Sequence, residues 1–314
     1  MLHRYLRKMK LSIIIVSYNT KDLLDQCIAS IKTSKMNFPY EVIVVDNASH
    51  DGSVEMLEEK YPEVILIKNK MNRLFAIPNN QGAEIATGEY LFLLNSDTIV
   101  YDDNISRLVD YMDSVDKHVV CVGPKILNAD KSLQAQGMHG ITHWSAFCYH
   151  FKLAKVLPSF IGRWVLPPAT YSWNSAVSHE VGWVTGCAMM IRREEYMKIG
   201  GLNENLEFYG EEPEFSYRAK KHGYLTYYYP HAEIIHLGGA STKKAPTEIA
   251  KENALRRYTK IVEQSVGYKY AIGTSRITMY SYYIKRIFAK NKAILNEGIE
   301  QEKKIIRHFK QLLK

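Results

Sequence analysis

Five short runs rich in Ile, Val and Leu, three of them closing on polar residues, constrain this chain more than any other feature: Leu11 to Ser17, Val42 to Asp46, Val64 to Ile67, Tyr90 to Asn95 and Val119 to Gly123. A strand that is apolar on both faces needs cover on both faces, as in a parallel sheet flanked by helices. The segments between supply that cover. Leu23, Leu24, Cys27, Ile28 and Ile31 fall on one helical face, Val54 and Leu57 on a second, and Ile105, Leu108, Val109 and Met112 on a third. The repeated strand–helix–strand order predicts an α/β fold with a Rossmann-like, mainly parallel sheet.

At 314 residues with 46% hydrophobic content, the chain can bury a substantial core in one large or two modest domains. Its four cysteines are widely separated, which suggests small buried apolar residues in a reducing compartment, not a zinc site or a disulfide framework. No stretch reaches the roughly 18 uninterrupted apolar residues of a spanning helix, so the expected location is cytoplasmic, with any membrane contact peripheral. The net charge of +8 suits anionic partners. Nucleic acid is not expected among them, since no reading motif interleaves the basic residues.

From Gln136 to about Glu180 the pattern gives way to His, Trp, Tyr and Pro, which predicts loops. A strand is then expected over Val184 to Ile191, a helix from Glu194, a break at Gly200 and Gly201, a helix across Glu212 to His222, and two strands, Leu225 to Tyr229 and Glu233 to His236. Helices are expected after Thr242, with a hinge or turn over Gly267 to Ser275. Ligands of open parallel sheets sit beyond the carboxyl ends of the strands, and three strands end in candidate polar groups: Ser17, Tyr18, Asn19; Asp46, Asn47; and Asn95, Ser96, Asp97. Each alone reads more readily as helix capping than as a site; three at one sheet edge favour a site.

Several ordered blocks, among them Val44-Val45-Asp46-Asn47-Ala48-Ser49, Ala86-Thr87-Gly88-Glu89-Tyr90, Leu94-Asn95-Ser96-Asp97-Thr98, Trp183-Val184-Thr185-Gly186 and His236 before Gly238-Gly239, resemble the family 2 glycosyltransferases of GT-A fold, in particular their bacterial rhamnosyltransferase-like branch. The resemblance implies a GT-A catalytic domain over residues 1–242, followed by a basic helical extension over 243–314. It implies inverting transfer of a sugar, rhamnose from a dTDP donor first, to a bacterial surface polysaccharide or lipid-linked glycan. A UDP-hexose donor would need the same residues, and a catalytically inactive binding module stays open as an alternative.

The resemblance also distributes roles. Asp97 would hold Mg2+ or Mn2+ against the donor diphosphate, with His236 as second ligand or diphosphate contact; Asn95 and Ser96 stand where other members carry acids. Asp46 would accept the imide N–H of the base, with Ser17, Tyr18 and Asn19 around it, and Asn80 would reach the ribose or diphosphate. The general base would come from Glu211 and Glu212, with Glu212 at the base position, and Trp183 would stack on donor sugar or acceptor. Glu212 and Glu214 stand where the family usually has Asp, which puts the base geometry in question. Over the last helices, tyrosines and isoleucines mixed with Lys and Arg suggest a segment lying on an anionic leaflet; packing on the catalytic domain or a homo-oligomer contact fits the pattern equally.

Overall fold

The computed structural model of the chain describes residues 9–134, 143–153, 157, 176–206, 210–238, 262–263, 267–289 and 292–313. The expected boundary at 242/243, the helical reading of 243–261, Tyr209, Gly239 and most of the aromatic stretch, including Trp164 and Trp173, lie outside these residues.

The strands are β1 (Leu11–Ser17), β2 (Tyr40–Asp46), β3 (Ile65–Lys68), β4 (Tyr90–Asn95), β5 (Thr98–Ile99), β6 (Val119–Leu127), β7 (His179–Val181), β8 (Ala188–Arg192) and β9 (Leu225–His236). They form one sheet in the order β3-β2-β1-β4-β8-β6-β9-β5, with β7 also on β9. The half from β3 to β4 is parallel; β8 enters antiparallel between β4 and β6, and β6 and β9 are parallel again. The helices are α1 (Lys21–Thr33), α2 (Ser53–Lys60), α3 (Ala76–Ile85), α4 (Asn104–Ser114), α5 (His143–His150), α6 (Arg193–Ile199), α7 (Glu211–Lys221), α8 (Tyr268–Phe288) and α9 (Ala293–Leu312).

Side chains alternate across a strand, and the two cores divide by that parity. Ile13, Ile15, Phe92 and Leu94 pack with Leu24, Ile28 and Ile31 of α1 and Leu108 and Met112 of α4. Ile14, Leu91 and Leu93 pack on the other side with Ala83 of α3, Tyr196 of α6 and Phe215 of α7. Both faces of the central strands are therefore covered, as their unbroken apolar runs require. All four cysteines are free and buried, and burial pushes the Cys27 and Cys187 thiols up to about 12, so they are inert packing groups.

Four local expectations change. The strand expected from Val184 begins only at Ala188, because residues 182–187 turn toward α7. Leu225 to His236 is one strand with a bulge, its register skipping between Pro124/Tyr229 and Lys125/Glu233, where Pro230 has no N–H for the ladder. Gly267 to Ser275 is no hinge: Gly267, at φ 78°, precedes α8, which runs unbroken through Ser275. Within that helix residue 273 is a glycine where the His143 ring of α5 occupies the space a Cβ would take. His143 to His150, expected as loop, is helical and packs on α8, with His150 Nε2 and Thr278 Oγ1 3.0 Å apart.

Gly88 shows how tightly the strand entries are set. Its N–H donates to Ser12 Oγ (2.9 Å), and an added Cβ would sit 2.5 Å from the Ser12 backbone nitrogen. Backbone cannot yield as a side-chain tip can, so Gly88→Ala should cost about 1–3 kcal/mol of stability, measured by urea unfolding of the full chain.

Candidate active site

Beyond the carboxyl ends of β1, β2 and β4 opens a cleft of about 410 Å3, lined by Tyr18, Thr20, Asn47, Asn72, Asn95, Ser96 and Asp97 with Val16, Leu74 and Phe75. One wall is the loop before α3, which Asn47 fastens: its Nδ2 donates to Leu74 O (2.8 Å), and its Oδ1 accepts from Asn69 Nδ2 (3.0 Å). Asn69 is held in turn by Gln81 of α3 (2.9 Å). The polar strand ends thus divide between groups that face the cleft and groups that build it.

Asp97 sits in the two-residue turn between β4 and β5. Antiparallel pairing of β5 with β9 sets Thr98 opposite His236, and the Leu237 N–H donates to Asp97 O (2.9 Å). That register carries the His236 imidazole to the carboxylate, with Nε2 3.2 Å from Asp97 Oδ1. The other ring nitrogen, Nδ1, is 2.8 Å from Gln134 Oε1, and Gln134 Nε2 donates to Asn128 Oδ1 (3.0 Å). A carbonyl acceptor at Nδ1 suits the tautomer whose Nε2 lone pair could join Asp97 in ligating a cation placed between them. Gln134 is invisible to a sequence motif search; its one signal is position, three residues beyond a turn at Asp130 and Lys131 that returns the chain to β6.

The pair meets the demands of a divalent ion. Two donors about 2.1 Å from an octahedral centre stand about 3.0 Å apart in neighbouring positions. Among the described residues no third His, Cys, Asp or Glu joins them, so the protein would supply two ligands and leave the other positions to substrate oxygens or water.

Glu212 is in the first turn of α7, and its Oε1 accepts from the Gly186 N–H (2.8 Å). A Cβ on residue 186 would collide with that carboxylate, so glycine is required for the approach. One residue on, Cys187 O accepts the Asn95 N–H (3.0 Å), extending the antiparallel pairing of β4 with β8. The Gly186-Cys187 peptide therefore ties the end of α7 to the Asn95-Ser96-Asp97 triplet. Burial raises the Glu212 carboxyl above its ordinary range; backbone N–H groups of Glu212, Gly186 and Gly210 oppose this without cancelling it.

Asp46 has 2% exposure and does not line the cleft itself; its Oδ2 accepts the Ser49 N–H (3.0 Å), while Oδ1 is buried with no hydrogen-bond partner. Such an oxygen costs folding energy until a donor reaches it. Tyr18 is 44% exposed at the cleft, and Trp183 is half-buried in the turn before β8.

Several candidates prove to be scaffold. Asn80 is inside α3, which begins at Ala76 and tolerates Pro78 in its first turn. Its Oδ1 accepts from Tyr196 Oη (2.6 Å) and Leu202 N–H (2.9 Å), and its Nδ2 donates to Leu202 O (2.9 Å), so it braces the Gly200-Gly201 turn and does not reach the cleft. Arg218 grips the same turn through Ile199 O and Gly201 O while pairing with buried Glu214 (2.6 Å). Ser17 is fully buried, its hydroxyl 3.0 Å from that of Thr20, which is 3.0 Å from Ser96 Oγ. Asn19, at φ 53°, takes the His50 N–H (2.8 Å) and gives its own N–H to Ser49 Oγ (2.9 Å), locking two loops together. Glu211 is buried at 2% exposure, which leaves Glu212 as the acid of that turn held at the Gly186 peptide.

The partly parallel sheet covered by helices, with a cleft at its strand ends, is the fold of the GT-A glycosyltransferases. The family model of glycosyl transferase family 2 matches residues 12–199, and the chain belongs to that family. It is a glycosyltransferase. Over 260 residues it is 25% identical to the N-acetylglucosaminyl-diphospho-decaprenol L-rhamnosyltransferase of Mycobacterium tuberculosis H37Rv, covering 75% of this chain and 78% of that one. A shorter match, 33% identical over 108 residues, covers 33% of this chain and 17% of the poly(ribitol-phosphate) beta-glucosyltransferase of Bacillus spizizenii W23. In fold it is similar to GalNAc-T7 with UDP, GalNAc and Mn2+ (TM-score 0.62, 16% identity, 98% of this chain, 56% of that one). It is also similar to the Pyrobaculum calidifontis mannosyltransferase PcManGT with GDP-Man and Mn2+ (TM-score 0.52, 15% identity, 98% and 74%).

The raised carboxyl of Glu212 has a measurable sign. Stability from its protonated form is fully present below the ordinary Glu value of 4.5 and is lost as pH rises through the higher folded value. Glu212→Gln keeps an acceptor for Gly186 and removes the charge. The variant should therefore be at least as stable as the parent at pH 8, its advantage shrinking toward pH 4.5, as read by urea unfolding across that range.

Proposed function

We propose that this chain is an inverting transferase that moves rhamnose from a dTDP donor onto a lipid-linked or surface-polysaccharide glycan, working at the cytoplasmic face of the membrane. The observation that carries the transfer reading is the Asp97–His236 pair, whose carboxylate lines the cleft, together with Glu212, which is linked to the same strand end through Gly186 and Cys187. The rhamnose reading rests on the relative matched over about three quarters of both chains.

Asp97 and His236 would hold the ion, with Mn2+ ahead of Mg2+ because a nitrogen donor suits the transition metal better than magnesium. Bound there, a divalent ion neutralises the charge that builds on the departing diphosphate. Asp46 Oδ1 would take the imide N–H of a thymine or uracil ring, satisfying its one unpartnered oxygen. Tyr18, Asn95 and Ser96 line the donor cleft, and Trp183 would offer an aromatic face to the sugar.

Glu212 would take the proton of the attacking acceptor hydroxyl. Its raised carboxyl makes it a stronger base than a solvated glutamate, and the Gly186 N–H fixes its orientation. The extra methylene relative to Asp is absorbed by the glycine at 186, which lets the longer side chain lie against the backbone.

Two variants and a donor panel test this. Asp97→Ala should abolish metal-dependent donor binding by calorimetry with Mn2+. Glu212→Gln should keep donor binding and lower kcat about 10²–10⁴-fold. Near-normal transfer by Glu212→Gln would remove Glu212 from the base role. Tighter binding and turnover with a UDP-hexose than with dTDP-rhamnose would reassign the donor, and nucleotide binding with no turnover across the panel would mark an inactive module.

A further inference from the structure

Away from the cleft, α8 and α9 form an antiparallel hairpin sealed by Ala271, Ile272, Ile306 and Phe309. Between them runs a groove of about 360 Å3. Each helix lines it with residues spaced i, i+3, i+4, i+7, which share one face: Arg276, Met279, Tyr280 and Tyr283 from α8, and Lys303, Ile306, Arg307 and Lys310 from α9. Four cations thus converge over an apolar floor. Glu300 pairs with Lys303 (2.7 Å), while Arg276, Arg307 and Lys310 have no carboxylate within ion-pairing distance among the described residues. Farther along α8, Lys285 is pushed below the usual ammonium range by burial and by Lys152, a second mark of crowded positive charge.

The rim is apolar where a soluble protein gains nothing from it. From Tyr280 (58% exposed) at the groove, Ile284 (47%) and Ile287 (70%) extend the α8 stripe past it, and Ile294 (73%) is exposed in the first turn of α9. Among the described residues no helix is long and apolar enough to cross a membrane, so these side chains can meet lipid only at its surface. Cations set beside protruding isoleucines and tyrosines match an anionic leaflet, in which headgroup phosphates lie next to the acyl boundary. A free phosphate would use the cations and leave the isoleucines in water.

We infer that the α8–α9 groove is a binding site for the phosphate of an anionic phospholipid, with Ile284, Ile287 and Ile294 inserted beside it at the bilayer surface. This deepens the membrane part of the reading above and is independent of donor and base. The full chain is floated, without sugar nucleotide, on phosphatidylcholine vesicles with and without phosphatidylglycerol.

Binding should appear on the anionic vesicles, fall at least about tenfold on phosphatidylcholine alone, and weaken as salt rises. Arg276→Gln with Arg307→Gln and Lys310→Gln should weaken it about a hundredfold, and Ile284→Ser with Ile287→Ser should abolish it, both with unchanged circular dichroism. Donor binding should be unaltered in both, so a failed membrane site and a failed transferase reading give different results. Equal binding to the two vesicle types overturns the inference, as does salt-independent binding by the parent. So does a parent that ignores vesicles while inorganic phosphate raises its melting temperature, or one whose Ile284→Ser/Ile287→Ser form merely loses self-association.

Discussion

The antiparallel seating of β8 against β4 is the constraint on which the site depends. It ends in the Asn95–Cys187 hydrogen bond, and that bond places the Gly186 N–H where Glu212 can use it. A polar triplet at a strand end and an acid at a helix start, carried by different layers of the fold, are linked through two consecutive residues, Gly186 and Cys187. A glycine is needed there because any side chain would displace the carboxylate it orients.

The rest of the cleft is built from polar side chains spent on geometry. Asn80, Asn19 and Asn47 each close hydrogen bonds between segments distant in the chain, which fixes the loops at the strand ends relative to one another. Arg218 and Glu214 do the same for the turn at Gly200 and Gly201. A buried pair of that kind adds little net stability over an apolar substitute, but it defines where α7 begins relative to the sheet. The acids of α7 thereby separate by position: Glu214 pairs with an arginine, Glu211 is buried, and Glu212 accepts the Gly186 N–H.

The helical hairpin follows a different physical logic. Ala271, Ser275, Thr278 and Ser281 are buried on α8 beside Ile272, and small residues let α5 and α9 pack closely, while Tyr280, Tyr283, Ile284 and Ile287 are left exposed.

Much of this was legible in the residues alone. Strand runs, helix faces and the polar strand ends are local patterns, set by side-chain periodicity and by which groups can stay buried without partners, so the layered α/β fold and the Asp46 and Asp97 ends could be read directly. The polar type of a side chain does not say whether it faces a ligand or ties two loops, and Asn80, Ser17 and Asn19 were therefore indistinguishable from Tyr18 and Asn95 until the hydrogen bonds were in place. The His236–Asp97 contact depends on the register of β5 against β9, and its Gln134 partner on a turn that returns to β6; a one-residue slip would turn each side chain to the opposite face. Sequence determined which chemistry was available at the strand ends. Only tertiary structure decided which of those groups meet, because long-range register, unlike periodicity, leaves no local trace.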